Sequence, residues 1–212
     1  MLTLEQAKGW YRNTDAVHDF SHIERVYHMA ERLALAEGAD LEIVRAAALL
    51  HDADGTTPGS ELRKEHHLRS AEFAATILRA EGWSEERIQA VQHCIRAHRY
   101  RDDREPPATI EAKVIFDADK LDVLGAIGAV RVMVYAALAG TPFYSPPSRQ
   151  FLETGREEPG ELHSAYHEHL FKLRNVEKRL YTESAKALAS QRRRYLDDFF
   201  NQLIAEINGE RR

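Results

Sequence analysis

The segment Leu49–Gly55, "LLHDADG", ends an apolar run with adjacent imidazole and carboxylate groups, His51 and Asp52. Ionised groups beside apolar neighbours are costly unless something pairs with them, and one such partner is a metal ion. Further groups of the same types recur along the chain. "HDFSHIERV" carries His22 and, three residues on, Arg25, which share a helix face. "HHLRSAEFA" carries His66, His67 and Ser70, and "CIRAHRYRDD" carries His98. "FDADKLDVLGAIG" carries Asp117, Asp119 and Asp122. Imidazole and carboxylate together suit a divalent transition metal. Neutral imidazoles add no charge, while two carboxylates balance a dication. Four protein ligands leave two octahedral positions for water and substrate, as a hydrolytic metal site requires.

The elements that must position these groups read as helices. "HIERVYHMAERLALAEG" places Ile23, Val26, Met29, Ala30 and Leu33 at three- and four-residue spacing, with Gly38 as a stop. "DLEIVRAAALLH" repeats the pattern with Asp40 as N-cap, and Ser84 caps "SEERIQAVQHCIRAH". Residues 62–80, 109–122 and 124–139 give further helical patterns. The last pattern, 166–207, contains no proline or glycine and reads as one long helical stretch. Residues 52–61 read as a loop. Residues 140–161, rich in proline and glycine, read as a long irregular connection, the kind that often serves as a lid or binding loop. Phe143, Tyr144, Arg149 and Arg156 there are the groups that could close over a base or phosphate.

Composition sets outer limits. The chain has 212 residues and a net charge of −5, so no global basic field draws nucleic acid or anionic membrane. Cys94 is the only cysteine, which excludes an intrachain disulfide and a cysteine-rich zinc site. The N-terminal segment does not read as a signal peptide, and no apolar run is long enough to span a bilayer. A cytoplasmic location is the expectation. No GxxxxGK[ST] loop is present, which removes a nucleoside triphosphatase of that type.

The ordered set His22, His51–Asp52, Asp119, within "DFSHIERV", "AAALLHDAD" and "DADKLDVLGAIGAVR", resembles the HD-domain metal-dependent phosphohydrolases. The resemblance covers about residues 15–135. The segment "YHEHLFKLRNVEKRLYTESAKALASQRRRYLDDFFNQLIAEI" is similar to the tail of the small single-domain members. The resemblance implies an all-α HD-domain helical bundle with a C-terminal helical extension. It implies one domain over residues 1–212, with the loop at 140–161 and C-terminal helices at 162–208.

It further implies that His22, His51, Asp52 and Asp119 bind the metal, Asp119 being chosen over Asp117 because it stands in the "ADxL" position of the family pattern. His66 and His98 match places where two-metal relatives carry further histidines, and would hold a second metal or contact phosphate. Arg25 and Lys120 are candidate phosphate contacts, and Asp54 is a candidate to orient or deprotonate the attacking water. The implied reaction is hydrolysis of a phosphate ester or anhydride of a small molecule, a nucleotide by family resemblance, with metal-bound water attacking phosphorus. Manganese is the preferred ion, with iron, zinc, magnesium, cobalt and nickel as alternatives. A nucleotide-sensing module with little turnover is the rival reading, and a di-iron oxygenase is the third. Neither nucleic acid nor membrane is an expected partner, and the oligomeric state is not legible.

The remaining groups have plainer readings. His18, His28, His67 and His93 read as structural. His163, His167 and His169 in "ELHSAYHEHLF" read as a solvated face, despite the i, i+4 spacing of the first two. Asp122 reads as salt-bridging and Asp117 as supporting or exposed. "RRRY" (192–195) reads as a solvated or salt-bridged face, and "GAIGAVRVMVYAALAG" as buried core.

Overall fold

A computed structural model describes residues 2–11, 19–54, 65–99 and 104–210 of the chain. Helices and turns make up these residues, with no strand among them. His18 and the end of the 52–61 loop lie outside the described residues. Two compact units emerge. The first comprises residues 1–120 with 180–185, and the second comprises 121–179 with 186–212.

The first unit is built from α1 (Leu4–Lys8), α2 (Phe20–Glu37), α3 (Leu41–Leu50), α4 (His66–Ala80), α5 (Glu85–Ala97) and α6 (Ile110–Leu121). In α2, Ile23, Val26, Ala30, Leu33 and Ala34 fall on one buried stripe. Gly38 stops the helix in the left-handed conformation, φ +70°, that glycine adopts without a side-chain clash. Asp40 caps α3 by accepting the Glu42 and Ile43 amides at 2.9 and 3.2 Å. Val44 and every residue from Ala46 to Leu50 are buried, so α3 is the central helix of this unit. Full burial of each Val, Ile or Leu in such a core contributes about 1.5–3 kcal/mol. Ser84 caps α5 through the Arg87 amide. Arg87 then pairs with Asp40 at 3.1 Å and Glu42 at 2.7 Å, fastening the start of α5 to the start of α3. His93 and Arg96 both reach Glu105, at 2.7 and 2.6 Å, in keeping with a structural role for His93.

The second unit holds α7 (Gly125–Leu138), α8 (Arg149–Thr154), α9 (Ala165–Phe171), a 3₁₀ segment (Leu173–Arg179) and most of α10 (Glu183–Ile207). No single helix among the described residues is long and apolar enough to cross a membrane. The 140–161 connection is irregular except for α8, which Ser148 caps. Its Pro142 and Phe143 carbonyls accept the amides of Ala165 and Tyr166.

Three expectations need correction. The stretch 166–207 is not one helix: it divides into α9, the 3₁₀ segment and α10. The break before α10 is stabilised from elsewhere in the chain. Fully buried Asp117 on α6 accepts the Tyr181 amide at 2.9 Å, the Thr182 amide at 2.7 Å and the Thr182 hydroxyl at 2.7 Å. Those amides find a carboxylate instead of a helical carbonyl. Asp117 is therefore a buried acceptor, not an exposed group.

Nor is "HEH" a solvated face. His167 and His169 are both fully buried. His167 Nε2 lies 2.9 Å from Glu161, and its Nδ1 lies 2.7 Å from Ser164 Oγ. His169 stacks on Phe200, with ring centroids 4.4 Å apart, and lies 3.0 Å from Asp197. Periodicity places such a face but does not say which side it presents to solvent.

Last, α7 is buried on one side only. Gly125, Gly128, Ala129, Val132 and Ala136 are inside, while Val130, Tyr135 and Leu138 are exposed. The arginine run follows the salt-bridged reading, since Arg193 pairs with Glu177 and Asp197 at 3.1 and 3.0 Å. Asp122, too, follows its reading and pairs with Arg131.

His169 leads to a pH prediction. Burial, reinforced by Arg174 and opposed by Asp197, holds its imidazole down at about 4, against an ordinary 6.5. Between those values the unfolded chain carries a proton that the folded chain does not. Stability is therefore complete above about pH 6.5 and falls as pH drops toward 4, by at most about 3 kcal/mol. Thermal melts of wild type between pH 7 and 4.5 should show a steeper fall than those of His169→Phe, which keeps the ring stacking. Equal slopes would remove His169 as the cause.

Candidate metal centre

The first unit gathers six of the expected residues. His51 stands directly after α3 and His98 directly after α5. His22 lies in the first turn of α2, His66 opens α4, and Asp119 sits in the last turn of α6. His22, His51 and His98 are buried, while the side chains of Asp52, His66 and Asp119 are 17, 15 and 14% exposed.

Two overlapping groups result. The ligand atoms of His22, His51 and Asp119 lie within 4.8 Å of one another, as do those of His51, Asp52 and His98. His51 belongs to both. Asp52 and Asp119, expected in one four-ligand set, fall in different groups. His22 Nε2 is 3.4 Å from Asp119 Oδ1. Asp52 Oδ1 has His66 Nε2 at 3.3 Å and His98 Nε2 at 3.5 Å, and the two Nε2 atoms are 3.4 Å apart.

Proton placement tests whether a cation fits. His51 Nδ1 lies 2.9 Å from the Ala48 carbonyl, and His98 Nδ1 lies 2.5 Å from the Ile95 carbonyl. A carbonyl only accepts, so each Nδ1 carries the proton and donates. The Nε2 atoms lie on the Asp52 side, His51 Nε2 at 3.8 Å and His98 Nε2 at 3.5 Å from its carboxylate. His51 is neutral at pH 7, because burial, only partly countered by Asp52, pulls its imidazole down to about 4. His51 Nε2 and Asp52 Oδ1 are buried and make no hydrogen bond. Burial opposes the Asp52 charge, yet His98 and His66 beside Oδ1 favour it, and its carboxyl lies well below the usual carboxylate range. Asp119 is likewise held low against burial, chiefly by Lys120 and His22. The two unpaired atoms, an imidazole nitrogen and a carboxylate oxygen, are of the kinds that coordinate a divalent cation, so the donor set fits one.

The other expected residues divide. Lys120 Nζ pairs with Asp119 Oδ2 and lies 5.6 Å from the Phe116 ring centroid. Arg25 donates to Ser21 Oγ at 2.8 Å, and Ser21 in turn donates to Asp19. Asp54 is held by Arg69 at 3.1 Å, and Ser70 Oγ donates to its backbone carbonyl. Cys94 is buried and its thiol pushed up, which keeps it out of nucleophilic chemistry. Sequence reasoning missed Tyr11. Its buried hydroxyl donates to the Leu49 carbonyl at 2.8 Å, bracing the turn that carries His51 and Asp52. An isolated tyrosine before α2 gives no local signal of that contact.

This arrangement and fold define a class. The sequence profile of the HD domain matches residues 19–124, and the chain belongs to the HD domain family. Among individual relatives, the Bacillus subtilis protein YpgQ is 30% identical over 212 residues, covering 97% of this chain and 94% of its own. The crystal structure of YpgQ in complex with ADP matches with a TM-score of 0.74 and 28% identity, over 98% of this chain and 99% of that one. An HD-superfamily hydrolase from Bacillus thuringiensis matches with a TM-score of 0.73 and 28% identity, over 98% and 95% of the two chains.

Proposed function

We propose that the protein is a metal-dependent phosphohydrolase acting on a small phosphorylated molecule, with a nucleotide as substrate and manganese as the preferred ion. The observation that carries this reading is the buried convergence of the His22, His51 and His98 imidazoles with Asp52 and Asp119, within which His51 Nε2 and Asp52 Oδ1 make no hydrogen bond. Binding of ADP by YpgQ supports the nucleotide class for this chain.

His22, His51 and Asp119 would hold one cation, and His51, Asp52 and His98, with His66 beside them, would provide the adjoining donors. A divalent ion there lowers the pKa of a coordinated water and polarises a phosphoryl oxygen. The chain's own residues do the rest. Asp52 and Asp119 balance the positive charge. The Ala48 and Ile95 carbonyls fix the tautomers of His51 and His98. Lys120 is placed to exchange its ion pair with Asp119 for a phosphoryl oxygen, stabilising charge that grows in the transition state. Arg25, aligned by Ser21, is the second candidate cation.

The test pairs metal analysis with phosphate release from a panel of nucleotides and phosphomonoesters in added manganese. Wild type is expected to retain a divalent metal and release phosphate, and Asp52→Ala to retain less metal and release little phosphate. Equal metal content in the two proteins would refute the ligand assignment. Metal binding without phosphate release would favour the nucleotide-sensing reading. Two groups sharing one ligand also suit a two-iron centre, so two irons per chain in aerobically purified protein, with no phosphate release, would favour the oxygenase.

A further inference from the structure

We propose that Tyr181 is the base-stacking platform of the metal centre, making it the residue that distinguishes nucleotides from phosphate compounds lacking a base. This inference rests on the phosphohydrolase reading and specifies one contact of its substrate. Tyr181 lies in the short break before α10, within the same compact unit as the candidate metal ligands. Its ring packs edge-on against Phe116, at 5.1 Å between centroids and 84° between planes. The residue is 39% exposed. Phe116 itself is buried.

The position relative to the phosphate chemistry follows from two contacts. Phe116 and Lys120 are i and i+4 on α6, one above the other on a single face. Lys120 Nζ lies 5.6 Å from the same Phe116 ring that Tyr181 packs on, and it pairs with Asp119. The exposed Tyr181 ring and the lysine that borders the candidate metal centre thus both lie against the one Phe116 ring.

The platform is also fixed before any ligand arrives. The Tyr181 amide donates to Asp117 at 2.9 Å, and the neighbouring Thr182 donates twice to the same carboxylate. A residue whose backbone is held this way and whose ring packs on Phe116 loses less freedom on stacking, which favours binding. Every base offers a π-face, so the contact selects for a nucleobase without choosing among bases. The ligand class is therefore a nucleoside phosphate of relaxed base identity.

The test measures dissociation constants of ADP and inorganic pyrophosphate for manganese-loaded wild type, Tyr181→Leu and Tyr181→Phe, by calorimetry. Tyr181→Leu keeps apolar packing on Phe116 and removes the π-face. It is expected to weaken ADP about tenfold while leaving pyrophosphate within about twofold, with Tyr181→Phe close to wild type for both ligands. Equal weakening of ADP and pyrophosphate, or an unchanged ADP constant, would overturn the assignment. Failure of the phosphohydrolase reading registers separately, as absence of phosphate release from wild type. Wild type that binds pyrophosphate but not ADP would overturn the base platform and leave the metal centre standing.

Discussion

His51→Ala is expected to lose metal from both ligand groups and to release phosphate roughly 10³-fold more slowly than wild type, as loss of several kcal/mol of transition-state stabilisation by a cation requires. His51 is the one residue common to the two groups. Replacing Asp119 or His98 removes a ligand from one group only. Metal content should therefore order as wild type, then the two single-group variants, then His51→Ala. Elemental analysis after dialysis against a weak chelator gives that order, and single-turnover phosphate release gives the rate. The imidazole is neutral and its Nδ1 proton is committed to the Ala48 carbonyl, so removing the ring breaks one internal hydrogen bond. The protein should stay folded, and circular dichroism checks this. If His51→Ala keeps as much metal as His98→Ala, His51 is not shared between groups and the centre must be rebuilt around other donors.

The second large effect is on stability. Asp117→Ala removes a fully buried carboxylate from two backbone amides and a hydroxyl. These donors sit where water does not readily replace the lost acceptor, so the expected cost is about 3–5 kcal/mol. For a chain of this size that is a fall of roughly 10 °C in Tm. Asp117→Asn keeps one acceptor oxygen without the charge and should fall between. Differential scanning calorimetry of the three proteins decides the matter. A shift of only a degree or two in Asp117→Ala would mean that the start of α10 is held by other contacts, such as Ser184 with Glu37 at 2.6 Å.

How much of this was legible beforehand depends on whether the deciding contacts are local. The N-caps at Asp40 and Ser84, the glycine stop at Gly38, and the helices themselves follow from neighbours within a turn or two, and the structure has them at those positions. The chemical types of the ligands were equally plain: an imidazole and a carboxylate ending an apolar helix, and matching groups elsewhere along the chain. What a period of three or four residues cannot supply is the direction a helix face takes. That is why His167 and His169 looked solvated and are buried, and why α7 looked buried and exposes one side.

The division of the candidate ligands into two groups was also beyond the sequence. His66 and His98 come to the same Asp52 oxygen from different helices, at distances set by the packing of α3, α4 and α5. The break at residues 180–182 has the same origin. An unbroken helical pattern yields there to Asp117, more than sixty residues earlier in the chain, because a buried carboxylate is a stronger acceptor for those amides than the next helical carbonyl. The sequence alone determined most of the helices and the kinds of atoms available for a metal. Tertiary packing alone decided which of those atoms meet, since convergence of lone pairs on a common point depends on contacts between helices distant in the chain.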